Sequence, residues 1–190
     1  MLKNIFISKV RVRILKQYMF HPFDGYHVRG LVRLLDEEIN AIRRELLNLK
    51  EAGILISHKD GNKLVYDLNP ECTITNDLQA MFYKDSEVGK VIIRAAKANG
   101  TADAILISPE FLDGVKEPSG NLDLLFIGKY KVNNLSRELK EAESLLGREL
   151  RYTAMTKADL DFARKKQDKV LSEFFKKDNI LLLGSIRNNI

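Results

Sequence analysis

Asn40, Arg44 and Asn48 are residue types that read nucleic-acid bases, and their spacing sets them on one side of a helix. Ile39, Ile42, Leu46 and Leu49 recur at helical spacing and define the buried face of that helix. Asn40, Arg44 and Asn48 then point away from it at i, i+4 intervals, and Arg43 sits on the flank within reach of phosphate. Arginine pairs with guanine and asparagine with adenine through two hydrogen bonds in the major groove. A basic stretch follows, in which Lys59, Asn62 and Lys63 surround Gly61 and would neutralise backbone phosphates. Arg29, shortly before the helix, joins this DNA-contacting set as a further cation. The same residue types also occur on ordinary solvated helix faces. Asp36, Glu37 and Glu38 suit the positive end of the helix dipole, yet they place three negative charges where DNA would approach.

The elements that would position these side chains follow from periodicity and turn residues. Residues 10–20 read as a first amphipathic helix, stopped at His21-Pro22 with Asp24-Gly25 behind it. Val28, Leu31, Val32 and Leu35 give a short second helix, and Asp36 is the expected N-cap of the third. Gly53 is expected to end that third helix. Residues 54–58 and 64–68 are strand-like runs flanking Asp60-Gly61, the pattern of a β-hairpin. Three helices and a hairpin make a winged helix-turn-helix over residues 1–70.

Beyond it, residues 71–100 read as a linker and a connecting helix over roughly 78–98, ended by Asn99-Gly100. Residues 101–190 then alternate strands and helices. Strands are expected at Ala104–Ile107, Leu122–Ile127 (ending at Gly128), Leu150–Met155 and Ile180–Leu183. Pro109 to Gly120 is loop-like, residues 134–146 form an amphipathic helix, and Thr156 opens helices reaching about Lys177 through a capping box with Asp159. The fold class is therefore α+β, with an N-terminal winged helix-turn-helix and a mixed-sheet α/β domain after it.

Charge is divided along the same line. Of 31 Lys+Arg and 26 Asp+Glu, residues 1–70 hold 12 and 8, and residues 71–190 hold 19 and 18. Residues 1–34 alone carry seven basic side chains against Asp24, and residues 35–70 are net negative by two. The basic surplus supports a nucleic-acid partner and assigns phosphate anchoring to the first two helices. No apolar run approaches the length of a membrane span, and Lys9, Arg11 and Arg13 interrupt the start too early for a secretory signal. Cys72 is the single cysteine, which excludes an internal disulfide and fits a reducing cytoplasm. His21, His27, His58 and Cys72 lack metal-ligand spacing, so no metal site is expected from them.

His27-Val-Arg-Gly-Leu-Val-Arg-Leu-Leu35, Ile42-Arg-Arg-Glu-Leu46, Leu49-Lys-Glu-Ala-Gly-Ile-Leu55 and the wing ending Tyr66-Asp-Leu-Asn69 resemble winged-helix repressors of the ArsR and MarR kinds. The second part, from Leu122-Asp-Leu-Leu-Phe-Ile-Gly128 through the 134–146 helix to Gly147-Arg148-Glu149, resembles the minimal nucleotidyltransferase fold. In active nucleotidyltransferases a Gly-Ser pair cradles triphosphate, two aspartates one residue apart bind Mg²⁺, and a later carboxylate completes the site. Carried across, the aspartate pair becomes Asn121 and Asp123, and the third carboxylate falls near Arg151. Glu149 lies close to that position and carries little weight. The Gly-Ser pair falls on Pro109-Glu110, or on Ile107-Ser108 with a two-residue gap, and the family's Arg-Gly falls on Asp113-Gly114.

The resemblance therefore implies a vestigial site at Asn121 and Asp123, in a domain that keeps the transferase fold without its catalysis. Asp123 itself is expected to be a hydrogen-bonded residue at a strand edge. Arg164, Lys165, Lys166, Lys169, Lys176 and Lys177 are read as a solvated helix face, balanced by neighbouring acids. The expectation is a cytoplasmic transcriptional regulator that binds double-stranded DNA as a homodimer and needs no cofactor. Its C-terminal domain would serve assembly, or would sense a nucleotide or protein ligand. The alternatives are a Mg²⁺-dependent nucleotidyltransferase acting on nucleic acid or protein, and an adaptor that binds only protein.

Overall fold

The computed structural model describes residues 1–112 and 122–184, which form two compact units divided between Phe82 and Tyr83. Asn121, Asp113 and Gly114 lie outside the described residues.

The first unit opens with a short helix α1 (Leu2–Ile5) and α2 (Lys9–Phe20), whose N-cap Ser8 accepts the Arg11 backbone N–H. A two-residue strand β1 (Tyr26–His27) leads into α3 (Val28–Leu35) and α4 (Ile39–Glu51). The turn between α3 and α4 corrects the sequence expectation. Asp36 is the C-cap of α3, with φ +49°, and Glu38 is the N-cap of α4, accepting the Ala41 N–H at 2.8 Å. Glu38, two residues nearer the helix, reaches forward to its first-turn N–H groups, which leaves aspartate, a residue that tolerates the left-handed region, to make the turn. After Gly53 the chain enters β2 (Leu55–Asp60) and β3 (Lys63–Leu68), an antiparallel hairpin in which Asp60 pairs with Lys63 around Gly61-Asn62. Strand β1, which the sequence reading missed, pairs with β3 and makes a three-stranded sheet, β1-β3-β2. Two residues are too short a run to show a period of two. One core joins Ile14, Leu15, Tyr18, Leu31, Ile42, Leu46, Leu49, Leu55 and Tyr66, so α4 is held by its apolar stripe against α2, α3 and the sheet.

Helix α5 (Thr75–Asp85) contains the division between the units, and α6 (Glu87–Asn99) follows it. A single helix over 78–98 was expected. The break falls at Ser86, whose hydroxyl donates to the Tyr83 carbonyl and accepts the Gly89 N–H, capping a new helix instead of continuing the old one.

The second unit continues through β4 (Gly100–Ile107), α7 (Pro109–Leu112), β5 (Leu124–Tyr130), α8 (Val132–Leu146), β6 (Tyr152–Met155), α9 (Lys157–Lys165), α10 (Lys169–Phe175) and β7 (Ile180–Gly184). Its four strands are ordered β6-β5-β4-β7, antiparallel except for β5 and β6, which α8 connects as a crossover. Strand β5 runs past Gly128, where the sequence reading ended it. Gly128 takes φ +148° opposite an irregularity at Asp103, and its missing side chain leaves room for the Thr101 carbonyl. On one sheet face Ala104, Leu106, Leu125 and Ile127 pack with Leu160, Leu171 and Phe174 of α9 and α10. Helix α6, with α8 beside it, packs on the sheet as well. The expected capping box is present: Thr156 and Asp159 exchange their side-chain and backbone bonds at the start of α9. No helix among the described residues is long and apolar enough to cross a membrane.

Candidate functional site

Helix α4 has two unlike sides. Ile42, Leu46 and Leu49 are buried, whereas Asn40, Arg43 and Arg44 are exposed. The core therefore fixes which way the polar stripe looks, because rolling the helix would pull three branched side chains into water. Two of the three acids that stood against a DNA-facing reading have a structural partner, and the third has a backbone role. Glu37 binds Arg13 at 2.5 Å, and Glu38 caps α4 through the Asn40 and Ala41 N–H groups, which hold its carboxyl below the usual glutamate range. Asp36 closes the turn.

Asn48 is placed differently from the other three. It is half-buried and donates to Glu45 at 3.4 Å. Glu45 is a buried charge in α4, only 3% exposed, and its carboxylate takes the Arg11 Nε of α2 at 2.8 Å. Burial alone would raise its pKa; the Ser8, Arg11 and Asn48 hydrogen bonds outweigh that and hold it low. This ion pair ties α2 to α4, and it was not visible in the sequence because 34 residues separate the partners.

Lys59, Asn62 and Lys63 are exposed at the hairpin end, and Arg29 is exposed in the first turn of α3. Leu47 was also missed. It is 50% exposed on the outward side of α4, beside Arg43 and Arg44. Its i+3 spacing from Arg44, off the core positions, is the signal that would have found it.

In the second unit, Asp123 immediately precedes β5 and is 1% exposed. Its carboxylate accepts Arg148 Nη1 at 2.9 Å and Nη2 at 3.3 Å, the Arg151 backbone N–H at 2.9 Å and Arg151 Nη2 at 3.2 Å. Burial pushes its pKa up, and the Arg148 and Arg151 hydrogen bonds together bring it below the ordinary aspartate value. Its backbone also bridges strands, since its carbonyl accepts the Ser108 N–H while its own N–H donates to the Arg151 carbonyl. Arg148 lies over the Phe111 ring at 5.4 Å. Arg151, where the resemblance would put a third carboxylate, is thus an ion-pair partner of the remaining aspartate. Glu149 is exposed. Ser108 is buried and its hydroxyl accepts the Phe111 N–H. Among the described residues no cluster of three or more His, Cys, Asp or Glu side chains is arranged to hold a metal ion.

No known protein-family model matches the chain, and no curated protein matches it. Among solved structures, that titled "Reduced HlyU from Vibrio cholerae N16961" is similar over 43% of this chain and 77% of its own, at 20% identity and a TM-score of 0.33. At that score the likeness carries no argument about fold or function.

Proposed function

We propose that the chain is a DNA-binding transcriptional regulator whose first unit contacts double-stranded DNA through α4 and the β2–β3 hairpin. The observation that carries this reading is the exposed Asn40–Arg43–Arg44 face on a helix whose opposite face is core, followed in the chain by a cationic hairpin end. Helix α4 would enter the major groove as the second helix of a helix-turn-helix, with Arg29, Lys59, Asn62 and Lys63 on phosphates. Asn48 belongs to the same face in the sequence, and its bond to Glu45 makes it the reader with least freedom. Operators of this kind are commonly paired half-sites, which favours a homodimer. The exposed Met1, Ile5 and Ile7 offer apolar surface suited to self-association. A cytoplasmic location agrees with the single cysteine, Cys72.

We infer that the second unit serves assembly or senses a nucleotide or protein ligand, and that it does not transfer nucleotides. Asp123 supports this, because two guanidiniums already occupy the carboxylate that a divalent cation would need. Its neighbours do not fit Mg²⁺.

The test of DNA binding is a gel-shift titration with the Arg43→Ala, Arg44→Ala double variant. Loss of a base contact and a phosphate contact should weaken specific binding about tenfold or more without altering the fold. Unchanged affinity would remove α4 from the interface. For the second unit, calorimetry with Mg²⁺-ATP should show no metal-dependent binding; tight binding lost in Asp123→Asn would restore the transferase reading.

A further inference from the structure

The outward residues of α4, Asn40, Arg43, Arg44 and Leu47, follow i, i+3, i+4, i+7 spacing and so form one stripe. Leu47 is 50% exposed there, while Ile42, Leu46 and Leu49 on the other side are at most 3% exposed. Leu47 is thus outside the core that holds the helix, and it stands one helical turn after Arg43 and Arg44 on the same side. Polar side chains at 40, 43 and 44 can answer donors, acceptors and phosphates; a leucine can answer only an apolar group. The major groove presents one such group, the C5-methyl of thymine. On the premise of the DNA reading above, we propose that Leu47 packs on a thymine methyl and makes α4 select an A·T pair beside the pair that Arg44 contacts. Leu47 lies three residues beyond Arg44, about 4.5 Å along the helix axis. That step is close to the spacing of about 3.4 Å between successive base pairs, so the selected thymine falls within one or two pairs of Arg44's base.

The experiment uses the full chain. A duplex pool with a randomised centre is selected for binding, and each thymine of the enriched site is replaced in turn by uracil, which removes only the methyl group. Affinities are measured for the wild type and for Leu47→Ala. For the wild type, uracil at one position per half-site should weaken binding about fourfold, the loss expected for one buried methyl. Leu47→Ala should weaken binding to the thymine duplex by at least as much and abolish the uracil effect at that position, a non-additive pair. Its thermal midpoint should match the wild type, since the side chain is outside the core.

Additive losses, or a wild type indifferent to every uracil, would overturn the assignment of Leu47 and leave DNA binding standing. A Leu47→Ala variant with unchanged DNA affinity but an altered oligomeric state would overturn it in favour of a protein contact. Failure of the pool to enrich any sequence would overturn the specific-DNA reading itself, and this inference with it.

Discussion

Glu45 and Asp123 are carboxylates buried among apolar residues, and arginines keep each one charged. Their folded pKa values lie below the ordinary ones, so the sign of the linkage is fixed. Each contributes stability that is fully present above the unfolded value, about 4, and that is lost as pH falls through the lower folded value. Asp123→Asn leaves Arg148 and Arg151 facing a neutral amide. Removing one partner of a buried pair costs about 3–5 kcal/mol, and the partial exposure of both arginines reduces this to about 2–3 kcal/mol at pH 7. Urea titrations at a series of pH values should show that gap narrowing as pH drops below about 4, because the unfolded chain's carboxylate then takes up a proton that the ion-paired folded one still refuses. A gap independent of pH would mean that Asp123 acts through packing and not through charge. The sequence pointed to Asp123 and showed a cation at 151; it could not show that the two residues meet.

At the scale of elements, α2, α3, α4 and the hairpin of the first unit were legible because each carries a clear period and a stop residue, whereas α1, four residues long, is too short to show one and was not read. What the sequence missed depends on single positions. Ser86 splits one expected helix into two because its hydroxyl satisfies backbone groups on both sides of the break. Gly128 lets β5 continue because its backbone takes a conformation closed to side chains at a point where the Thr101 carbonyl comes close. A Cβ there would lie 2.0 Å from that oxygen, whereas a Cβ at Gly147, also at positive φ, would meet nothing within 4 Å. Gly128→Ala should therefore cost about 2–4 kcal/mol, against about 1 kcal/mol for Gly147→Ala. Thermal or urea midpoints of the two variants check this. Equal losses would show that only backbone strain matters and that the close approach at Thr101 relaxes freely.

Over the whole molecule the electrostatics differ from the linear count. The surplus in residues 1–34 assigned phosphate anchoring to the first helices, yet Arg11 and Arg13 are joined to Glu45 and Glu37. Those arginines therefore fasten α2 to the α3–α4 region and are poorly free to release counterions from DNA. Lys59 and Lys63 remain exposed at the hairpin end. Lys59→Gln with Lys63→Gln should lower the slope of log affinity against log salt by about 1.8, at about 0.9 per phosphate contact. The paired variant Arg13→Gln, Glu37→Gln should leave that slope unchanged. A slope unaltered by the lysine changes would place the hairpin away from DNA.

The sequence by itself determined the periods, and through them a helical and hairpin-bearing first unit, an alternating second unit, and the polar stripe of α4. Those are local properties, written in spacings of two and of three to four residues and in residues that start or stop an element. Only the tertiary structure decided which charges remain available. Burial makes a charge costly unless an opposite charge meets it, and the partners that meet are 34 residues apart for Arg11 and Glu45 and 25 and 28 apart for Asp123 and its two arginines. No local pattern records such pairs, because they exist only once the packed elements have set two distant side chains side by side.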